Sequence, residues 1–171
     1  AEIMSTLFFH EMNYDINNPF HEYNDEFILS KGHAAPILYS CLYHAGAISD
    51  NLLGLRTFAS RLEGHPMPSV EWVKVATGSL GQGLSVGVGV ALAGKLSKKQ
   101  FRVYVLLGDS EMSEGSVYET LQLAAYYRVS NLVALIDVNR LGQRGETMLG
   151  HDIAAYKKRV EGVGWDVLTI D

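Results

Sequence analysis

Apolar residues recur along this chain in two rhythms, and their alternation predicts its elements. Val103–Leu107 (VYVLL) and Leu132–Ile136 (LVALI) are unbroken apolar runs, as expected of strands buried on both faces of a sheet. Each ends in a small polar cluster, Gly108-Asp109-Ser110 and Asp137-Val138-Asn139. Between them, from about Ser113 to Arg128, Val117, Leu121, Ala124 and Ala125 fall at helical spacing. Upstream, Phe27–Ser30 predicts a short extended run and Lys31-Gly32-His33 a turn. Pro36 then opens a helix whose Ile37, Leu38, Cys41, Leu42 and Ala45 share a face before Gly46. Ala1–Glu11 predicts a helix with Ile3, Met4, Leu7, Phe8 and Phe9 on one side. Ser49-Asp50 predicts a cap for a helix to about Phe58, Gly64–Pro68 a loop, Val73–Ala76 a strand, and Gly83 to about Leu96 a helix of small residues. A helix near Ala154–Val160 and a strand over Trp165–Ile170 follow. Strands alternating with helices predict an α/β fold, a doubly wound parallel sheet with helices on both faces.

The ends carry their own pattern. Ala1–Glu11 starts at full amphipathic stride with no cap before it, and Val167–Asp171 stops where a strand should end. Residues 1–171 therefore read as most of one domain, cut at both ends. The 47% apolar and 19% charged content excludes global disorder. A net charge of −5 leaves no basic footprint for nucleic acid. The weakly polar stretch Gly83–Gly94 is stopped by Lys95, short of the ~20 residues a membrane-spanning helix needs. Cys41 is the one cysteine, so no disulfide forms within one chain.

Candidate chemistry sits at the strand ends. Asp109 and Asn139 lie just past consecutive strands joined by one crossover, so both belong to the same edge of the sheet, the edge where open α/β sheets bind ligands. A carboxylate and an amide carbonyl are hard oxygens suited to Mg²⁺ or Ca²⁺, and the N–H groups after Gly108 form a natural anion cradle. Together they suggest a metal–diphosphate site; an Asp cap and an Asn turn are the plainer alternative. His33 precedes a Pro-started helix, and His65 sits in the stiff Gly64-His65-Pro66 turn; either is also compatible with a solvated loop. Glu114 could complement a helix dipole, and Glu119 could close a capping box with Ser116.

The joint order of five stretches resembles transketolase: Leu29–Pro36 (LSKGHAAP), Gly64-His65-Pro66, Ala76–Gly83 (ATGSLGQG), Gly108–Ser116 (GDSEMSEGS) and Asp137–Gln143 (DVNRLGQ). They span nearly the whole chain. The family's thiamin diphosphate signature is Gly-Asp-Gly followed about thirty residues later by Asn; here it reads Gly108-Asp109-Ser110 and Asn139. The resemblance implies a thiamin-diphosphate-binding fold in a cytoplasmic homodimer. Its activity would be transfer of a two-carbon ketol unit from a ketose phosphate to an aldose phosphate, with a divalent metal.

The resemblance further implies that Asp109, Asn139 and the Leu141 carbonyl hold the metal. Ser110, Asn139 and His33 would meet the diphosphate, and Gly78, Ser79 and Leu80 would line the cofactor rings. His65 would lie over the reacting carbon, with Glu114 and Glu119 at the dimer interface. The pyrimidine-binding domain that completes such a site is absent from the 171 residues, so this stretch alone is expected to be inactive. Ser110 replaces the second Gly of the signature, and a positive φ there would strain it. A deoxyxylulose-phosphate synthase relative, the amino-terminal subunit of a split transketolase, and a non-catalytic binding protein remain as alternatives.

Overall fold

The computed structural model describes residues 1–170. Glu26–Leu29 (β1), Val103–Gly108 (β2) and Leu132–Asp137 (β3) form one parallel sheet in the order β1-β2-β3. Ile28 pairs with Val105, Val105 with Ala134, and Gly108 with Asp137, so the strands end almost level. Successive side chains of a strand point to opposite faces, and here they feed two separate cores. Phe27, Leu29, Tyr104 and Leu106 join one; Ile28, Val103, Val105, Leu107 and Leu132 join the other. Every residue of β2 is buried, which accounts for its uninterrupted apolar run.

The first core lies under Glu2–Thr6 (α1), the wider turn Leu7–Glu11 and Ala35–Ala45 (α2). The second lies under Gly83–Leu96 (α3), Gly115–Tyr126 (α4) and Ile153–Glu161 (α5). Helices thus cover both faces of a parallel α/β sheet. The strands follow each other in chain order, and no reversal of that order occurs among the described residues. Local chemistry sets the helix limits: Pro36 occupies the first turn of α2, and Gly46, at φ +83°, closes it. Gly87 brings α3 onto the sheet, because a Cβ there would lie 2.4 Å from Val105 Cγ2. A short antiparallel pair, Leu141–Gly142 (β4) and Gly145–Glu146 (β5), follows β3. No helix among the described residues is long and apolar enough to cross a membrane.

Five local expectations are corrected. The helix of Ala1–Glu11 widens after Thr6, where Met12 N–H reaches back to the Leu7 carbonyl (2.9 Å). Met4, Leu7 and Phe8 are buried, but Phe9 is turned out, 53% exposed. The helix expected from Ser49-Asp50 to Phe58 is one 3-10 turn, Leu52–Gly54, capped by Asn51. Asp50 is instead held by a two-pronged Arg61 contact (2.8 and 2.8 Å), and Arg56, at φ +61°, reverses the chain.

Val73–Ala76 forms no strand. Val73 is buried in the first core while Val75 packs on the second, so its apolar residues serve a crossing between faces rather than a ladder. Trp165–Ile170 is likewise unpaired. Trp165 donates through Nε1 to the Leu121 carbonyl (2.9 Å), Val167 packs beside it, and Leu168 and Ile170 face outward. The terminal Asp171 lies outside the described residues. Finally, the Ser116–Glu119 capping box does not form: Ser116 Oγ donates to the Gly81 carbonyl (3.0 Å), and Glu119 is exposed.

Candidate functional site

The carboxyl ends of the three strands open onto a cavity of about 330 Å³. Lys31 and His33 enter it after β1, Asp109 and Ser110 after β2, and Asn139 and Leu141 after β3, with Leu80 closing a further side. Level strand ends and parallel crossovers place these distant residues together.

Asp109 is the most constrained of them. Its side chain is buried, with Oδ1 accepting from Ser110 N–H (3.0 Å) and Oδ2 from Arg140 N–H (2.8 Å) and the Thr147 hydroxyl (2.9 Å). Asn139 Oδ1 accepts from Leu141 N–H (2.9 Å), and its Nδ2 donates to Asp137 Oδ2 (3.3 Å). The cap-like and turn-like roles are thus present in the same residues that line the cavity. Each Oδ1 keeps a further lone pair, since a carbonyl or carboxylate oxygen has two.

Two of the N–H groups expected to cradle an anion have partners within the chain. Asp109 N–H donates to the Asp137 carbonyl (3.1 Å) and Ser110 N–H to Asp109. Ser110 itself lies at φ −63°, ψ −35°, so the strain expected from replacing Gly is absent. Lys31 Nζ sits 2.5 Å from Asp137 Oδ2, joining the ends of β1 and β3 across β2. No cluster of three or more His, Cys, Asp or Glu side chains able to hold a metal ion occurs among the described residues; the side-chain oxygens lining the cavity belong to Asp109, Ser110, Asn139 and Gln143.

The two histidines meet. The His33 and His65 rings stand edge to face with centroids 4.7 Å apart. The Tyr39 hydroxyl donates to the His65 carbonyl (3.2 Å), and burial pushes that phenol's pKa up, with Glu63 adding to the shift. Tyr39 therefore stays a donor and anchors the His65 loop. Beneath His65 lies bare backbone: Gly78 has φ +133°, and a Cβ on it would lie 2.6 Å from the His65 ring. Gly32 likewise meets the Thr77–Gly78 backbone so closely that a Cβ would lie 2.7 Å from Gly78 N. Beside this contact, Thr77 Oγ1 is buried with no hydrogen-bond partner among the described residues.

Of the expected residues, the structure gathers His33, Leu80, Ser110, Asp109, Asn139 and Leu141 around one cavity, sets His65 against His33, and places Gly78 against His65. Ser79 is exposed and does not line the cavity. Glu114 is also exposed; it precedes α4 and packs beside Gly81 rather than against either histidine. Sequence reasoning missed Glu111, which is wholly buried, as well as Lys31 and Thr147. The signal available for Glu111 was an acidic residue directly after a buried strand and within the Gly108–Ser116 stretch.

Comparison with known proteins identifies the family. The family model described as "Transketolase, thiamine diphosphate binding domain" matches residues 1–171. Bovine transketolase-like protein 2 is 54% identical and human transketolase 50% identical, each over all of this chain and 28% of the relative. The crystal structure of transketolase from Campylobacter jejuni superposes with a TM-score of 0.88 at 31% identity, covering 98% of this chain and 28% of that one. A transketolase from Pichia stipitis in complex with sedoheptulose-7-phosphate gives 0.78 at 29% identity, covering 92% and 25%. The fold is a parallel α/β domain with a cavity at its strand ends. The chain belongs to the transketolase family, as its thiamine diphosphate binding domain. It spans a little over a quarter of the length of the curated relatives it matches.

Proposed function

We propose that this chain is the diphosphate-holding part of a transketolase, an enzyme that moves a two-carbon ketol unit from a ketose phosphate to an aldose phosphate. The observation that supports the reading is the convergence of Asp109, Ser110, Asn139, Leu141 and His33 on one strand-end cavity, with the His65 ring edge to face against His33. The residues suit thiamin diphosphate and Mg²⁺ or Ca²⁺. Asp109 Oδ1 and Asn139 Oδ1 each keep a lone pair, and Thr77 Oγ1 awaits a partner.

When bound, the cofactor supplies the chemistry that breaks and remakes the carbon–carbon bond. The protein's share is placement. Asp109, Asn139 and the Leu141 carbonyl would hold the metal, with Asp109 oriented by Ser110 N–H, Arg140 N–H and the Thr147 hydroxyl. His33, Asn139 and the Ser110 main chain would contact the diphosphate, and Gly78, Ser79 and Leu80 would line the rings through backbone groups. His65 would hold or pass a proton at a substrate oxygen. Ser110 has an unstrained backbone, which supports a working enzyme over a non-catalytic relative.

In the whole protein, the sheet would be completed into the doubly wound form. A pyrimidine-binding domain of the partner in a cytoplasmic homodimer would close the site, with Glu114 and Glu119 at that interface; residues 1–171 alone would be inactive. Calorimetry of the full-length protein with thiamin diphosphate, with and without Mg²⁺, tests the reading. Metal-dependent binding that is lost in Asp109→Ala is expected; no binding by the wild type overturns it.

A further inference from the structure

We infer that Glu111 is the positioning residue of this site: one buried carboxylate that fixes three of the cavity's walls relative to each other. The inference deepens the proposed function and rests on it for the identity of the ligand. Glu111 has no exposed surface and follows β2 in the single turn Glu111–Ser113. Its Oε1 accepts from the Ser30 hydroxyl and from Gly81 N–H (2.8 Å), and its Oε2 accepts from Gly108 N–H (3.2 Å).

These donors come from three separate stretches of chain, and each adjoins a lining residue. Ser30 precedes Lys31, Gly81 follows Leu80, and Gly108 precedes Asp109. No Lys, Arg or His side chain pairs with Glu111 among the described residues. A carboxylate buried without a cation persists only when hydrogen-bond donors replace its water. Here all three donors are supplied by the walls themselves, so they are held by a common acceptor. Neither the Asp109 nor the His33 side chain hydrogen-bonds to Glu111 among the described residues; it acts on the ligand only through Ser30, Gly81 and Gly108 and the lining residues beside them.

The full-length wild type is compared with Glu111→Gln and with Ser30→Ala. Gln keeps the size of the side chain but turns one acceptor into an N–H₂ group facing a donor. In the cofactor-free protein, amide exchange at residues 30–34, 78–83 and 106–110 should accelerate together in Glu111→Gln, by about 10-fold or more, with α2 and α5 unchanged. The dissociation constant for thiamin diphosphate should rise ~10–100-fold, while turnover at saturating cofactor stays within about 3-fold. A mere loss of folded protein would lower turnover without moving that constant.

Ser30→Ala removes a single donor and should loosen the same three stretches to a smaller degree. A Glu111→Gln protein whose exchange changes only next to residue 111, or whose cofactor affinity is normal, overturns the inference. If that variant does not fold, Ser30→Ala with unchanged exchange at 78–83 and 106–110 overturns it equally. A wild type that never binds thiamin diphosphate strikes the proposed function, and the exchange measurements then decide the role of Glu111 alone.

Discussion

His33 and His65 lie in different loops, yet their imidazoles touch edge to face at 4.7 Å, and Gly78 leaves room beneath the second ring. His65 is thus both a candidate for proton handling and a packing partner of a candidate diphosphate contact. In the full-length enzyme, His65→Ala should lower turnover by ~10²-fold or more while cofactor affinity falls by about tenfold or less. Steady-state kinetics paired with calorimetry separates the two. Normal turnover with abolished cofactor binding would reverse the assignment.

Gly78→Ala probes the same contact from below. The added Cβ would lie 2.6 Å from the His65 ring, and φ +133° is unfavourable for any residue with a side chain. Expected is a loss of about 1–3 kcal/mol in stability, read by urea denaturation, together with weaker cofactor binding. Ser79→Ala, at the exposed neighbour, should leave both within experimental scatter.

Asp109→Ala removes an acceptor for two backbone N–H groups and one hydroxyl. Metal-dependent retention of thiamin diphosphate should disappear, as should order in the β4–β5 pair that Arg140 and Thr147 flank. Thr147→Val removes one of those contacts only. It should cost about 1 kcal/mol and preserve metal dependence. If Asp109→Ala binds cofactor and metal as the wild type does, the metal assignment is wrong.

Ser110→Gly is expected to do little. The native backbone is right-handed helical at this position, so glycine relieves no strain and adds freedom to the unfolded chain. Cofactor affinity should move by tenfold or less, ~1.4 kcal/mol, and stability should drop slightly. A gain in both would show that Ser110 is a compromise.

Asp50 provides a pH-dependent check on the loop leading to His65. Hydrogen bonding to Arg61 is the main cause that lowers its pKa. A carboxyl with a depressed folded pKa adds stability above its unfolded value, near pH 4, and loses it as pH falls through the folded value. Urea denaturation should therefore show Asp50→Asn less stable than wild type at pH 7, by ~0.5–1 kcal/mol for such a partly exposed pair. The gap should close in strongly acidic buffer. A gap independent of pH would assign the effect to something other than the ion pair.

Much of this layout was legible because its chemistry is local. Pro36 and Gly46 mark α2, Gly83 opens α3, and unbroken apolar runs mark β2 and β3. Asp109 and Asn139 could be paired because parallel strands must end on one edge. What stayed hidden depends on partners distant in sequence. Val73–Ala76 and Trp165–Ile170 have strand-like composition, but among the described residues no pairing strand reaches them. Glu111 is indistinguishable by type from Glu114 and Glu119 nearby; only the fold shows that it is buried while they face out.

The stretch from Val70 to Thr77 crosses from one side of the sheet to the other and roots Val73 in the first core and Val75 against the second. β2 is anchored in both as well. Two cores joined in this way lack separate melting behaviour: loosening either one drags the shared backbone and uncovers part of its counterpart. The domain should accordingly open as a single cooperative unit, and the His65 and Gly78 loops should open with it, because the Thr77 N–H donates to the Pro66 carbonyl (3.3 Å) and ties both to that crossing.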